Sequence, residues 1–237
     1  MVHRRTCLGA VLLAGMLVAA GCGRGDDGST TTGPAAPVAS GPASGTITLT
    51  YAVTLKEIVL YAAADNVQLM GNWQRVADPT AAGGLRAYNL NFGAPKVTQP
   101  SDPPANAITI PFLADQNLTY KLWIRLKAAS DSWANDSVWV HFPADVNFQY
   151  LAVSLEECVG CGVSGWGWRD NGFGVAHGNG ALLQFSPSAP GPQQIVIQTR
   201  EDGVSIDQVV LSAEKYLTTP PGPAKNDQTI LPATPVP

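Results

Sequence analysis

From residue 46 onward, apolar and polar side chains alternate along the chain at a period of two, as strands do when one face is buried and the other wet. The stretches 46–51, 107–112 and 119–126 follow this pattern, and 57–61, 67–69, 137–142, 149–155, 180–185, 193–199 and 205–211 are further strand candidates. Thr119-Tyr120-Lys121-Leu122-Trp123-Ile124-Arg125-Leu126 is the clearest of them. Turn-forming clusters separate the strands: Ala82-Gly83-Gly84, the prolines between 100 and 104, and Glu201-Asp202-Gly203. No stretch after the first twenty residues repeats its apolar positions at helical spacing. Ten short strands in roughly 170 residues predict an all-β fold, an antiparallel β-sandwich of the jelly-roll kind.

The first residues have a different texture. Arg4-Arg5 precedes an apolar run from Leu8 to Ala20, too short for a permanent membrane span and closed by small residues. Val18-Ala19-Ala20-Gly21-Cys22 resembles the bacterial lipobox, in which a diacylglycerol is placed on the cysteine and the chain is cut before it. The competing reading is an ordinary secretory signal with an incidental cysteine. The lipobox reading divides the chain into a signal (1–21), a lipid-anchored flexible linker (22–45), a sandwich domain (46–218) and a Pro-rich, loose C-terminal tail (219–237). The linker holds Gly, Ser, Thr, Ala and Pro with almost no large apolar group, so it buries too little surface to offset its ordering entropy. Gly23 follows the cysteine, so no acidic inner-membrane retention signal is present. The expected location is the cell envelope outside the cytoplasm, on the outer membrane or cell surface.

Composition agrees with this picture and excludes some functions. Charged residues make up 14% of the 237 and the net charge is −4, with Lys and Arg scattered, so no basic stripe exists to meet the phosphates of a nucleic acid. Of the four cysteines, Cys7 lies in the signal and Cys22 is the candidate lipid site. Cys158 and Cys161 remain, as Cys-Val-Gly-Cys, and outside the cytoplasm they read first as a small-loop disulfide. A redox pair would call for a β-α-β context, and half a zinc site for a second pair. Gly162 in place of His excludes c-type haem attachment.

Several local motifs in order look familiar. Gly71-Asn72-Trp73 followed by Ala82-Gly83-Gly84, Tyr120-Lys121-Leu122-Trp123-Ile124-Arg125, Gly165-Trp166-Gly167-Trp168, and Gln194-Ile195-Val196-Ile197 with Asp202-Gly203-Val204-Ser205-Ile206-Asp207 stand in one sequence. Together they resemble carbohydrate-binding modules of the family 6 and family 35 type, a galactose-binding-domain-like sandwich. The resemblance implies non-catalytic recognition of a polysaccharide or surface glycan. It also implies a structural calcium: Asp207 matches the family's C-terminal acidic position, whereas the first strand offers only Asp65 for the family's acidic pair.

An exposed indole complements the C–H face of a sugar while amides and carboxylates take its hydroxyls. Two segments carry both parts. Trp166, Trp168, Asp170 and Asn171 form the first candidate ligand set, their glycines leaving the indoles uncovered. Trp133, Asn135 and Asp136 form the second. The opposing reading places the indoles in the core, since Trp166 and Trp168 share a face at period two. Trp73, Trp123 and Trp139 read as core, and His141 as exposed on its strand. No G-x-S-x-G elbow, H-E-x-x-H or phosphate loop occurs, so the chain is read as a binder and not an enzyme. The alternative function is a structural or adhesive surface protein that contacts another protein through the same sandwich.

Overall fold

In the computed structural model, the described residues are 55–145, 150–174, 184–189 and 191–235, all within the compact unit Thr50–Pro237. The signal, Cys22, the linker, the strand expected at 46–51 and most of the strand expected at 180–185 lie outside the described residues. Twelve strands are present, with short 3₁₀ turns and no α-helix among the described residues. They are β1 (Glu57–Tyr61), β2 (Gln68–Leu69), β3 (Trp73–Ala77), β4 (Leu85–Asn89), β5 (Ala107–Ala114) and β6 (Tyr120–Ala128), followed by β7 (Ser137–His141), β8 (Leu151–Ser154), β9 (Trp166–Arg169), β10 (Gln184–Phe185), β11 (Gly191–Thr199) and β12 (Val204–Ser212).

Two antiparallel sheets result. One runs β10-β6-β12-β4-β3, with β9 also on β6 and β1 also on β12; the other runs β2-β5-β11-β7-β8. The inner faces interdigitate. Leu122, Ile124 and Leu126 of β6, with Val204, Ile206, Val209 and Leu211 of β12, meet Ile108 and Ile110 of β5, Val138 and Val140 of β7, and Ile195 and Ile197 of β11 in one buried cluster. These are the alternate positions of the period-two runs, so the alternation in sequence is the core in space. The all-β sandwich expected from the pattern is the fold observed.

A bulge in β12 organises the outer face of the larger sheet. The register with β6 shifts between Ile206 and Gln208, so Asp207 and Gln208 both point outward. That face is then covered by residues 216–234, which take in most of the segment expected to be a loose tail (219–237). The N–H of Trp168 donates to Pro223 at 3.1 Å and that of Asp227 to Trp166 at 2.8 Å, along the free edge of β9. Arg125 of β6 donates to Asp227. Gln208 of β12 exchanges side-chain hydrogen bonds with Leu231, and Thr234 meets Val59 at the free edge of β1. The segment is a strap crossing β9, β6, β12 and β1 in turn. Beneath it Trp123, Trp168, Val59 and Val210 form a second apolar cluster, closed by Tyr61, Tyr216 and Leu231. Pro-rich composition does not prevent docking here, because the strap has a ready apolar face and unpaired strand edges to satisfy.

Candidate functional site

The first candidate ligand set is largely buried. Trp168 has no exposed surface and lies under the strap. Asp170 forms a buried ion pair with Lys121 at 2.8 Å, and Asn171 accepts from Arg169 at 2.9 Å. Both are at most 2% exposed, so neither meets a ligand at the surface. The glycines around the indoles serve packing instead of uncovering them. A Cβ at Gly167 would stand 1.9 Å from the carbonyl oxygen of Ala224, so glycine is what lets the strap seat against β9.

Trp166 is intermediate in role. Its indole is only 3% exposed, its N–H donates to the Thr80 hydroxyl at 2.9 Å, and Arg125 and Lys127 lie 4.9 and 5.5 Å from its ring. No open face remains to stack on a sugar. Yet it forms part of the wall of a pocket of about 550 Å³, with Pro79, Thr80, Lys127, Gly165, Asn226, Asp227, Gln228 and Ile230. The strap supplies four of those residues, which no sequence signal marked. The pocket offers the amides of Asn226 and Gln228, the Thr80 hydroxyl and the half-buried Lys127 ammonium beside an apolar Ile230. Its size is within the range of small-ligand sites.

The second candidate set divides differently. Trp133 is 65% exposed, the largest apolar side chain left uncovered among the described residues. It sits in a 3₁₀ turn, Trp133–Asn135, capped by the Ser132 hydroxyl, which accepts from Ala134. The preceding turn is fixed to the pocket: the Gly165 N–H donates to Asp131 Oδ1 at 3.0 Å, and Gly165 is itself a pocket residue. Trp133 therefore stands on a loop anchored to the pocket wall.

Asn135 and Asp136 are buried and hold the loop from beneath. Asn135 donates to Ala129 at 3.2 Å and packs on Gly203, where a Cβ would stand 2.9 Å from it. Gly203 has φ +79°, a conformation that glycine adopts without strain. Asp136 accepts from the Glu156 N–H at 2.7 Å and is near enough to the Glu201 carboxyl to feel its charge. Burial, first of all, and then Glu201 push the Asp136 carboxyl up to about 7. Glu201 moves down: Lys96 at 2.6 Å, the Ser137 hydroxyl and Asp136 favour its charged form over the opposing cost of burial.

The metal ligands implied by the resemblance do not come together as a site. Asp65 is exposed, while Asp207 is fully buried and occupied by the Arg125 guanidinium and the Ala82 N–H. A carboxylate already neutralised by a guanidinium is a poor cation ligand. Among the described residues no three His, Cys, Asp or Glu side chains group to hold a metal. Cys158 and Cys161 form the disulfide, with Cα atoms 5.2 Å apart.

Other readings shift as well. Trp73 and Trp123 are buried, but Trp123 lies under the strap and not between the sheets. Trp139 is half-buried, with its N–H on the Val97 carbonyl. His141 is buried beside Tyr150, the rings 4.3 Å apart, because that outer face is also partly covered.

No protein-family model matches the chain, and no curated protein sequence does. Solved structures similar to it include carbohydrate-binding modules, alone or joined to an enzyme. A family 35 module from Clostridium thermocellum is 13% identical, over 65% of this chain and 98% of that one, with a TM-score of 0.40. The C-terminal family 6 module of LamC, a laminarinase of Zobellia galactanivorans, is 11% identical over 66% and 98%, with a TM-score of 0.38. A β-(1,4)-mannanase of Podospora anserina with a family 35 module is 12% identical over 68% of this chain and 28% of that one, at 0.41. At such scores the likeness carries nothing beyond itself, and the sandwich rests on the strand pairing described above.

Proposed function

We propose that the chain binds a saccharide without transforming it, at the pocket beneath the strap and the Trp133 loop beside it. The observation that carries this reading is Trp133 itself. An indole 65% exposed, on a loop fixed through Asp131 to a pocket holding amides, a hydroxyl and an ammonium, matches what a sugar asks of a protein. Lipid attachment at Cys22, with display on the outer membrane or cell surface, belongs to the same proposal and is supported by the lipobox alone.

A glycan array probed with the full chain, with calcium and again with a chelator, tests the reading. Retention of at least one glycan, unaffected by the chelator, supports it. Retention of none by folded protein overturns it and favours the alternative, a surface that contacts another protein.

A further inference from the structure

Two carboxyl groups, Asp136 and Glu201, are buried together at the end of the sandwich that carries Trp133, 3% and 4% exposed. They belong to different connections, Asp136 to β6–β7 and Glu201 to β11–β12, and each ties in a third and a fourth. Glu156 of β8–β9 donates its N–H to Asp136, and Lys96 of β4–β5 reaches Glu201. Four connections thus meet at one pair of buried acids, joined through Ser137, the residue after Asp136, whose hydroxyl donates to Glu201 and whose carbonyl accepts the Glu201 N–H at 3.1 Å.

We infer that this pair is a proton-holding clamp: with one proton on the pair it fixes the Trp133 loop, and when that proton leaves the loop loosens. Its bearing on ligand affinity rests on the saccharide reading above; the clamp itself does not. The surroundings decide the direction. Glu156 adds a third carboxylate facing Asp136. Of the cations, Lys96 is bound to Glu201 but 42% exposed, and Arg200 is engaged by the Ser137 hydroxyl and lies 5.5 Å from the Trp139 ring. Arg169 senses Asp136 but is held by Glu157, Asn171 and the Ser154 carbonyl. Losing the proton leaves two buried carboxylates with only the exposed Lys96 ammonium on Glu201 to offset them, and repulsion in a poorly hydrated space favours opening. Asp136 follows directly on the Trp133–Asn135 turn, and its own carbonyl accepts the Leu155 N–H at 3.0 Å, so opening moves the base of the Trp133 loop.

The test is an NMR titration of the full chain, following side-chain carboxyl carbons and backbone amides. The expected result is one carboxyl with a midpoint near pH 7, and amides of Trp133, Asn135 and Glu156 that shift with the same midpoint. In Asp136→Asn, whose amide can still accept from Glu156, both responses disappear. Glu201→Gln, which retains an acceptor for Ser137, provides a second variant should the first fail to fold; it too removes the shared transition. A carboxyl pair that titrates only in the ordinary acid range overturns the inference, as do loop amides that stay silent through the transition. No sugar is present in the experiment, so its outcome is independent of whether the chain binds one.

Discussion

Arg125 Nε donates to Asp227 Oδ2 at 2.6 Å, joining the middle of the larger sheet to the strap where both residues are buried. The same guanidinium binds Asp207, so β6, β12 and the strap share one cation. Replacing Asp227 with Ala takes one of two carboxylates from the fully buried Arg125, which keeps Asp207 and the backbone carbonyl of residue 227. The expected cost is about 3–5 kcal/mol. Urea unfolding of Asp227→Ala against the parent checks it; a change within error would show that the strap is not integral to the domain.

Trp168 and Trp133 make opposite predictions. Trp168→Ala removes a fully buried indole and should destabilise the domain by about 3–5 kcal/mol. Trp133→Ala removes an exposed one and should stay within about 0.5 kcal/mol of the parent. Thermal unfolding of the two variants side by side measures both.

The contrast between these tryptophans shows where sequence is legible. Strands β5, β6, β11 and β12 were read nearly end to end, because their alternate residues fill a core that both sheets share. Strands β3 and β4 went unread: Gln74, Arg75, Arg86 and Tyr88 give them too little apolar contrast, and their pairing with each other, not burial, makes them strands. Strand β9 is absent from the elements the pattern predicts, since local pattern cannot reveal that Gly167 is there to admit Ala224 of the strap. The exposed Trp133 was found among polar turn residues, but the pocket beside it was not. Four of its nine lining residues come from a Pro-rich segment more than ninety residues beyond Trp133, brought in by a tertiary ion pair with no local signature.

Stability should respond to pH through the acid pair. Asp136 has its folded pKa raised, so its contribution is full below the ordinary Asp range and is lost as pH rises toward about 7. Glu201 has its folded pKa lowered, so its contribution is present above the ordinary Glu range and is lost in stronger acid. The pair therefore contributes most near the ordinary carboxylate range and declines toward neutrality. The urea midpoint of the parent should fall relative to that of Asp136→Asn across that interval as pH rises; a parent that holds level with the variant or gains on it would contradict the assignment.

Reduction of the Cys158–Cys161 disulfide should matter little. It closes a loop spanning only three positions, so chain entropy allows at most about 2 kcal/mol. Unfolding with and without a dithiol reductant measures the difference, and a larger loss would mean that this loop braces the neighbouring Gly162–Glu156 contact.

The most direct test of the central claim is calorimetric titration of a glycan retained on the array into the parent and into Trp133→Ala. Saccharide recognition at the Trp133 loop predicts unchanged folding with affinity reduced by about tenfold or more, equivalent to about 1.4 kcal/mol. Equal affinity for the two proteins would contradict it and place the binding surface elsewhere on the sandwich.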